Sequence, residues 1–263
     1  MDLGIKDRVA LVAASSRGLG QAVAMGLAKE GAKLALCART SRLLEAAAEE
    51  IRRETGAEVI TGVVNVTAYD EVQQFVAAVV ERFGRLDICV ANAGGPPSKT
   101  FAETTVEDWR SAVDLNLLST VYLARETLPV MQRQGWGRFI AITSVAVKQP
   151  VDGLILSNAV RSGVSGLIKT LANEYGRHGV LVNSVCPGYT ATARLVELSR
   201  KMAEKEHVDP AEIEARWARQ TALGRVGLPH EFADLVVFLA SERAAYITGT
   251  SVVVDGGLVK GVY

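Results

Sequence analysis

Residues 14–20 read Ala14-Ser15-Ser16-Arg17-Gly18-Leu19-Gly20 and join an apolar, strand-like run (8–14) to a helical one (QAVAMGLAKEG). A glycine-rich turn from strand to helix lets backbone N–H groups and the helix N-terminus close on a pyrophosphate, whose charge the helix dipole favours. Arg17 stands in this turn, and Arg39 ends the second strand-like run in Cys37-Ala38-Arg39-Thr40. A carboxylate at that strand end would take a ribose 2′-hydroxyl, whereas an arginine suits a 2′-phosphate. Two arginines converging there make a charge-assisted clamp, so the pattern favours NADP over NAD. Two solvated loop arginines are the plainer alternative.

A second cluster lies farther along. Ser144 closes the apolar run 138–144, and Ser157 and Arg161 follow it by thirteen and seventeen residues on a helical stretch. A serine hydroxyl can steady a polarised carbonyl oxygen, but it is far less acidic than a phenol, which titrates near about 10. Arg161 offers a permanent charge and a fork of donors, and it cannot join a proton relay by deprotonating. Tyr189, after Pro187-Gly188, is a candidate proton donor, as are Lys148 and Asp152 between the two serines. His178, His207 and His230 are isolated and receive no role.

These residues need a scaffold that gathers strand ends, and the pattern supplies one. Strand-like runs at 8–14, 33–38, 59–65, 86–91, 138–144, 180–185 and 251–255 alternate with amphipathic stretches. Several are apolar on both faces, as parallel strands covered on each side must be. Ser41, Thr67 and the capping-box sequence from Thr105 to Asp108 mark helix starts, and Gly31, Gly56, Gly84 and Gly135 mark stops. The expectation is a single α/β domain over residues 1–263, a Rossmann-like doubly wound parallel sheet of about seven strands. Residues 190–229 hold no strand, only a charged helical segment that follows the sixth run. Placed there, it overlies the carboxyl edge of the sheet where ligands bind, so a substrate lid is expected, with a packing helix pair as the alternative.

Composition narrows the partners. Basic and acidic residues balance, 29 against 29, so no global field favours nucleic acid or a membrane surface. Cys37, Cys89 and Cys186 sit in apolar runs without metal-ligand spacing, which suggests buried thiols in a reducing, cytoplasmic setting. No uncharged apolar run is long enough for a spanning helix, and no metal site is expected.

In order along the chain, the turn at 13–20, Asn65-Val66, Asn92-Ala93-Gly94, Asn116 in DLNLLS, the Ser144 segment, Pro187-Gly188 and the tail ITGTSVVVDGG resemble the short-chain dehydrogenase/reductase family. The resemblance is nearest to its 3-oxoacyl-carrier-protein reductases. It implies that Ser15, Ser16, Arg17, Gly18, Leu19 and Gly20 cradle the cofactor's phosphates, with Ala13 and Ala14 replacing the family's Thr and Gly. It implies that Asn65 and Val66 border the adenine, and that Asn92, Ala93, Gly94, Pro187 and Gly188 border the rest of the cofactor. Ser144 is then the catalytic serine and Asn116 the holder of a relay water. Where the family has its catalytic Tyr and Lys, this chain has Ser157 and Arg161, so Arg161 is expected to hold ribose and the usual proton donor is gone. The implied function is an NADP-dependent oxidoreductase on a small carbonyl or secondary alcohol, working as a homotetramer or dimer. The alternative is a redox-inactive dinucleotide-binding sensor or oligomer subunit.

Overall fold

The computed structural model describes residues 2–262. Seven strands form one parallel sheet: β1 (Val9–Ala13), β2 (Lys33–Ala38), β3 (Val59–Val63), β4 (Ile88–Ala91), β5 (Gly137–Ile142), β6 (Val180–Pro187) and β7 (Ser251–Val254). Their spatial order is β3-β2-β1-β4-β5-β6-β7. Each expected strand is present, with ends shifted by a few residues.

Alternation along each strand sorts its side chains between two covering layers. Ala10 and Val12 of β1 join Leu34 and Leu36 of β2 on one face, beneath helices α1 (Gly18–Lys29) and α2 (Ser41–Thr55). Val9 and Leu11 join Ala35 and Cys37 on the other, beneath α3 (Tyr69–Phe83). Next along the chain come α4 (Val106–Val113), α5 (Ser119–Gln134), α6 (Ile155–Tyr175), α7 (Ala193–Glu206), α8 (Pro210–Gln220) and α9 (Pro229–Ala240). Phe232 and Val236 of α9 complete the first layer, and Leu123 of α5 with Ile168 of α6 complete the second. All three cysteines are buried and free. Burial pushes the Cys37 and Cys89 thiols up to about 12, so neither ionises at neutral pH.

Thr105 forms the expected capping box, accepting from the Asp108 amide at 3.1 Å while Asp108 accepts from the Thr105 amide at 2.8 Å. Thr67 does not cap α3; its hydroxyl donates to Asn65 Oδ1 at 3.0 Å and the helix begins two residues later. An Asx-type turn has captured the threonine that could have capped. Among the described residues no helix is long and apolar enough to cross a membrane.

Two features bear directly on ligand binding. The chain leaves β1 toward β2 on one side and resumes with β4 on the other, so the connections after β1 and β4 part and open a crevice at their carboxyl ends. The segment 190–229 supplies α7 and α8, which pack on each other through Ala203, Ile213 and Trp217. At the opposite end of the sheet, fully buried Asp87 ties β1 to β4. It accepts from the Val9 amide at 2.9 Å, from Arg85 Nε at 2.7 Å and from Arg8 Nη1 at 3.3 Å.

Removing that carboxylate strands a buried amide and releases two guanidinium groups. The Asp87→Ala variant is expected to lose about 2–3 kcal/mol in urea unfolding, with an unchanged slope.

Candidate active site

The turn after β1 is strained. Ala14 adopts φ 48°, a left-handed conformation that costs an alanine on the order of 1 kcal/mol. Gly20 in the first turn of α1 packs directly beneath it: a Cβ there would lie 2.4 Å from the Ala14 carbonyl oxygen and 2.9 Å from Asn92 Nδ2. Asn92 in turn donates to that carbonyl at 3.4 Å, joining the turns after β1 and β4. Arg17 is the N-cap of α1 and leaves the helix without a side-chain cap, so its first amides face the crevice unspent.

The crevice is a continuous cleft of about 460 Å³. Ser16, Arg17, Gly18 and Leu19 line one part, with Arg39, Asn65 and Val66 beside them. Asn92, Ala93 and Gly94 form the middle, and Ser144, Ser157, Arg161 and Pro187 the far end. Four expected residues stand behind these walls. Ser15 is fully buried, with its amide on the Cys37 carbonyl at 3.2 Å. Gly20 supports the turn. Gly188 donates to the Val254 carbonyl at 2.9 Å and has no room for a side chain against Asp255. Asn116 is buried, and its neighbour Leu115 lines the cleft in its place.

At the far end, Ser144 follows β5 and accepts from the Ala146 amide at 3.1 Å, which leaves its hydroxyl proton free to donate to a ligand. Ser157 and Arg161 lie one turn apart on α6 and share a face. Arg161 Nη1 donates to the Ile142 carbonyl at 3.0 Å and Nη2 to the Gly94 carbonyl at 3.4 Å. Its residue is 8% exposed, and burial pushes the guanidinium down to about 10, still charged at neutral pH. Asn116 sits in a π-helical turn, Asp114–Leu118, between α4 and α5. Its Nδ2 donates to the same Gly94 carbonyl at 2.9 Å, while its buried Oδ1 has no hydrogen-bond partner among the described residues.

Tyr189 does not reach the cleft. Its ring stacks on Trp217 with centroids 5.1 Å apart, and its hydroxyl donates to Gln220 at 3.1 Å. Burial, with a smaller push from Asp152, raises this phenol above its usual range. Lys148 and Asp152 are exposed and outside the cleft. Residues missing from the sequence reading include Ser98 and Leu154, and from α7 and its cap Thr192, Arg194 and Leu198. Thr192 caps α7 through the Leu195 amide at 3.4 Å, a signal that T-x-x-L alone carries only weakly.

Residues 13–259 match the family model described as enoyl-(acyl carrier protein) reductase. The chain belongs to the short-chain dehydrogenase/reductase family. It is 37% identical to a 3-oxoacyl-[acyl-carrier-protein] reductase of Synechocystis, over 96% of this chain and 97% of that one. Among solved structures it is similar to the L-sorbose reductase of Gluconobacter frateurii complexed with NADPH and L-sorbose, with TM-score 0.95, 33% identity and full coverage of both chains. It is also similar to an NADPH-bound short-chain oxidoreductase of Pseudomonas aeruginosa described as containing an atypical catalytic center, with TM-score 0.89 and 33% identity, over 98% of this chain and 100% of that one.

The strain at Ala14 predicts that Ala14→Gly stabilises the cofactor-free protein by about 1 kcal/mol in thermal or urea unfolding. A neutral or negative effect would show that the turn has relaxed around the methyl group.

Proposed function

We propose that this member of the family is an NADPH-dependent reductase of a small carbonyl compound, in which hydroxyl groups and water stand in for the phenolic proton donor. The observation that carries the reading is one cleft with a phosphate cradle and two arginines at one end, and Ser144, Ser157 and Arg161 at the other. The site fits the cofactor on its own geometry. Gly94 faces open space with nothing within 4 Å of a Cβ, and the uncapped amides of α1 point the same way. Arg17 and Arg39 would hold the 2′-phosphate, the first turn of α1 the pyrophosphate, and Asn65 with Val66 the adenine edge. Ala93, Gly94 and Pro187 would border the nicotinamide.

When bound, NADPH supplies the hydride. The chain's own contribution is orientation and a proton. Ser144 donates a hydrogen bond to the carbonyl oxygen and holds it against Pro187 and Leu154. Ser157 is too short to replace a phenol directly and leaves room for a water between itself and the substrate oxygen. Arg161 spends two donors on the Ile142 and Gly94 carbonyls and keeps the others for ribose hydroxyls or substrate. Losing matched acid–base help lowers the rate by about 10²–10⁴-fold without abolishing it.

A redox-inactive dinucleotide binder is the second reading, favoured by one feature: Arg161 is anchored to carbonyls and cannot exchange a proton. Residues 190–229 form the proposed lid, since Thr192, Arg194 and Leu198 line the cleft. A homo-oligomer belongs to the same reading, supported by a groove on α5 and α6 between half-buried Val121, Leu167 and Leu171. The three buried free thiols support a reducing, cytoplasmic compartment.

Fluorescence titration is expected to show NADPH binding tighter than NADH. Arg39→Ala should weaken NADPH about 10-fold or more while NADH binding stays within about twofold, because a charged hydrogen bond is worth about 1.5–3 kcal/mol. The paired substitution Ser157→Tyr with Arg161→Lys separates the two readings. A reductase using its own hydroxyls loses activity on NADPH and its ketone, whereas activity gained from none identifies a silent binder.

A further inference from the structure

The cleft has an unusual balance of charge. Among the described residues every ionisable side chain lining it is an arginine, Arg17, Arg39, Arg161 and Arg194, and no Asp, Glu or His contributes to its walls. Arg17 and Arg39 have a counter-charge waiting in the cofactor's phosphates. Arg161 and Arg194 lie outside that pair.

Arg161 is buried and forms no ion pair among the described residues; its only side-chain bonds are to two neutral carbonyls. A desolvated cation without an anion is costly, and such a group is retained where a ligand completes it. Arg194 lies in the first turn of α7, the end of a helix where a cation opposes the dipole. Its Nη2 donates to the Pro96 carbonyl at 3.1 Å across the cleft from α7. Its one acidic neighbour is Glu197 at 3.5 Å, outside the cleft and closer to Lys201 at 2.7 Å; both members of the Arg194 pair are about half exposed, so this pair neutralises little. The two guanidiniums thus hang from opposite walls on carbonyls of one loop, at Gly94 and Pro96, whose Cα atoms are at most about 7 Å apart.

Position fixes what an anion there would be attached to. Ser144, Ser157 and Arg161 line one end of the cleft, so an anion held at Arg161 would have its neighbouring atoms beside the two serines. We propose that the substrate is a small oxo acid, with a carboxylate one or two carbons from the reacting carbonyl, and that Arg161 and Arg194 recognise the carboxylate. This rests on the reductase reading and names its substrate class. The reaction reduces C=O to CH–OH, with hydride from NADPH to carbon and a proton from solvent to oxygen; the carboxylate is unchanged.

The test compares 4-methyl-2-oxopentanoate and acetoacetate with their methyl esters, each with NADPH. The acids should exceed the esters by about tenfold or more in kcat/KM. Arg194 is exposed on its helix, so Arg194→Met should fold; it should lower the acid-to-ester ratio about fivefold or more by raising KM for the acids, with NADPH affinity within about twofold of wild type. Equal or better use of the esters by the wild-type protein overturns the proposal. So does an Arg194→Met variant that binds NADPH more weakly with the acid-to-ester ratio intact, which would assign Arg194 to the cofactor's phosphates. Calorimetric titration of the NADP⁺ complex with each acid keeps the two levels apart. Acid binding without turnover of any compound supports the anion site and removes the reductase; turnover of neutral ketones with no acid binding does the reverse.

Discussion

The carbonyl of Gly94 accepts from two buried donors, Asn116 Nδ2 and Arg161 Nη2. A backbone oxygen has two lone pairs, and here both are spoken for by side chains arriving from different elements. Asn116 comes from the π-helical turn between α4 and α5, and Arg161 from α6, while Gly94 itself lies on the loop leaving β4. That loop forms the middle of the cleft, and its first residue, Asn92, reaches back to the turn after β1. Moving this oxygen would therefore displace the middle and the far end of the cleft together. Asn116 sits in the widened turn itself, and such π-turns are frequent at functional sites.

Arg161 shows how a longer side chain changes a site without removing its charge. Its second nitrogen reaches the Ile142 carbonyl at the end of β5, so the guanidinium bridges the β4 and β5 strand ends. A lysine has no fork with which to hold both. The bridge gives rigidity to the place where Ser144 emerges, and it sacrifices proton exchange. Rate enhancement draws on orientation, electrostatics and acid–base exchange, and an arginine at this position can serve the first two but not the third.

The sheet was legible because burial on both faces writes itself as continuous apolar runs, and the strand ends then located the cleft. Most residues expected to bind a cofactor sit at strand ends, and for that reason they line this cleft. What failed was direction. Tyr189 follows Pro187-Gly188 as expected, yet stacking on Trp217 of α8 turns it out of the cleft, and that partner is set by tertiary packing that no local pattern encodes. Ser15, Gly20, Asn116 and Gly188 proved to be supports behind the walls for a similar reason: motif spacing places a Cα and leaves the side chain's target open. Arg194 was missed because a charged residue on a polar helix reads as solvated surface until the opposite wall is known.

The two departures from the family pattern carry different physical weight. At Ala14 the methyl group forces an alanine into left-handed backbone, a cost confined to one residue and tolerated because Gly20 and Asn92 hold the turn from below. At 157 and 161 there is no strain to repair. Both side chains are buried, α6 is regular through them, and the arginine's donors find carbonyl acceptors at ordinary distances. An aliphatic side chain at 161 would escape the desolvation penalty but would lose the bridge between the Ile142 and Gly94 carbonyls. That charge, with a second arginine held on the same loop, is what the proposed carboxylate would complete.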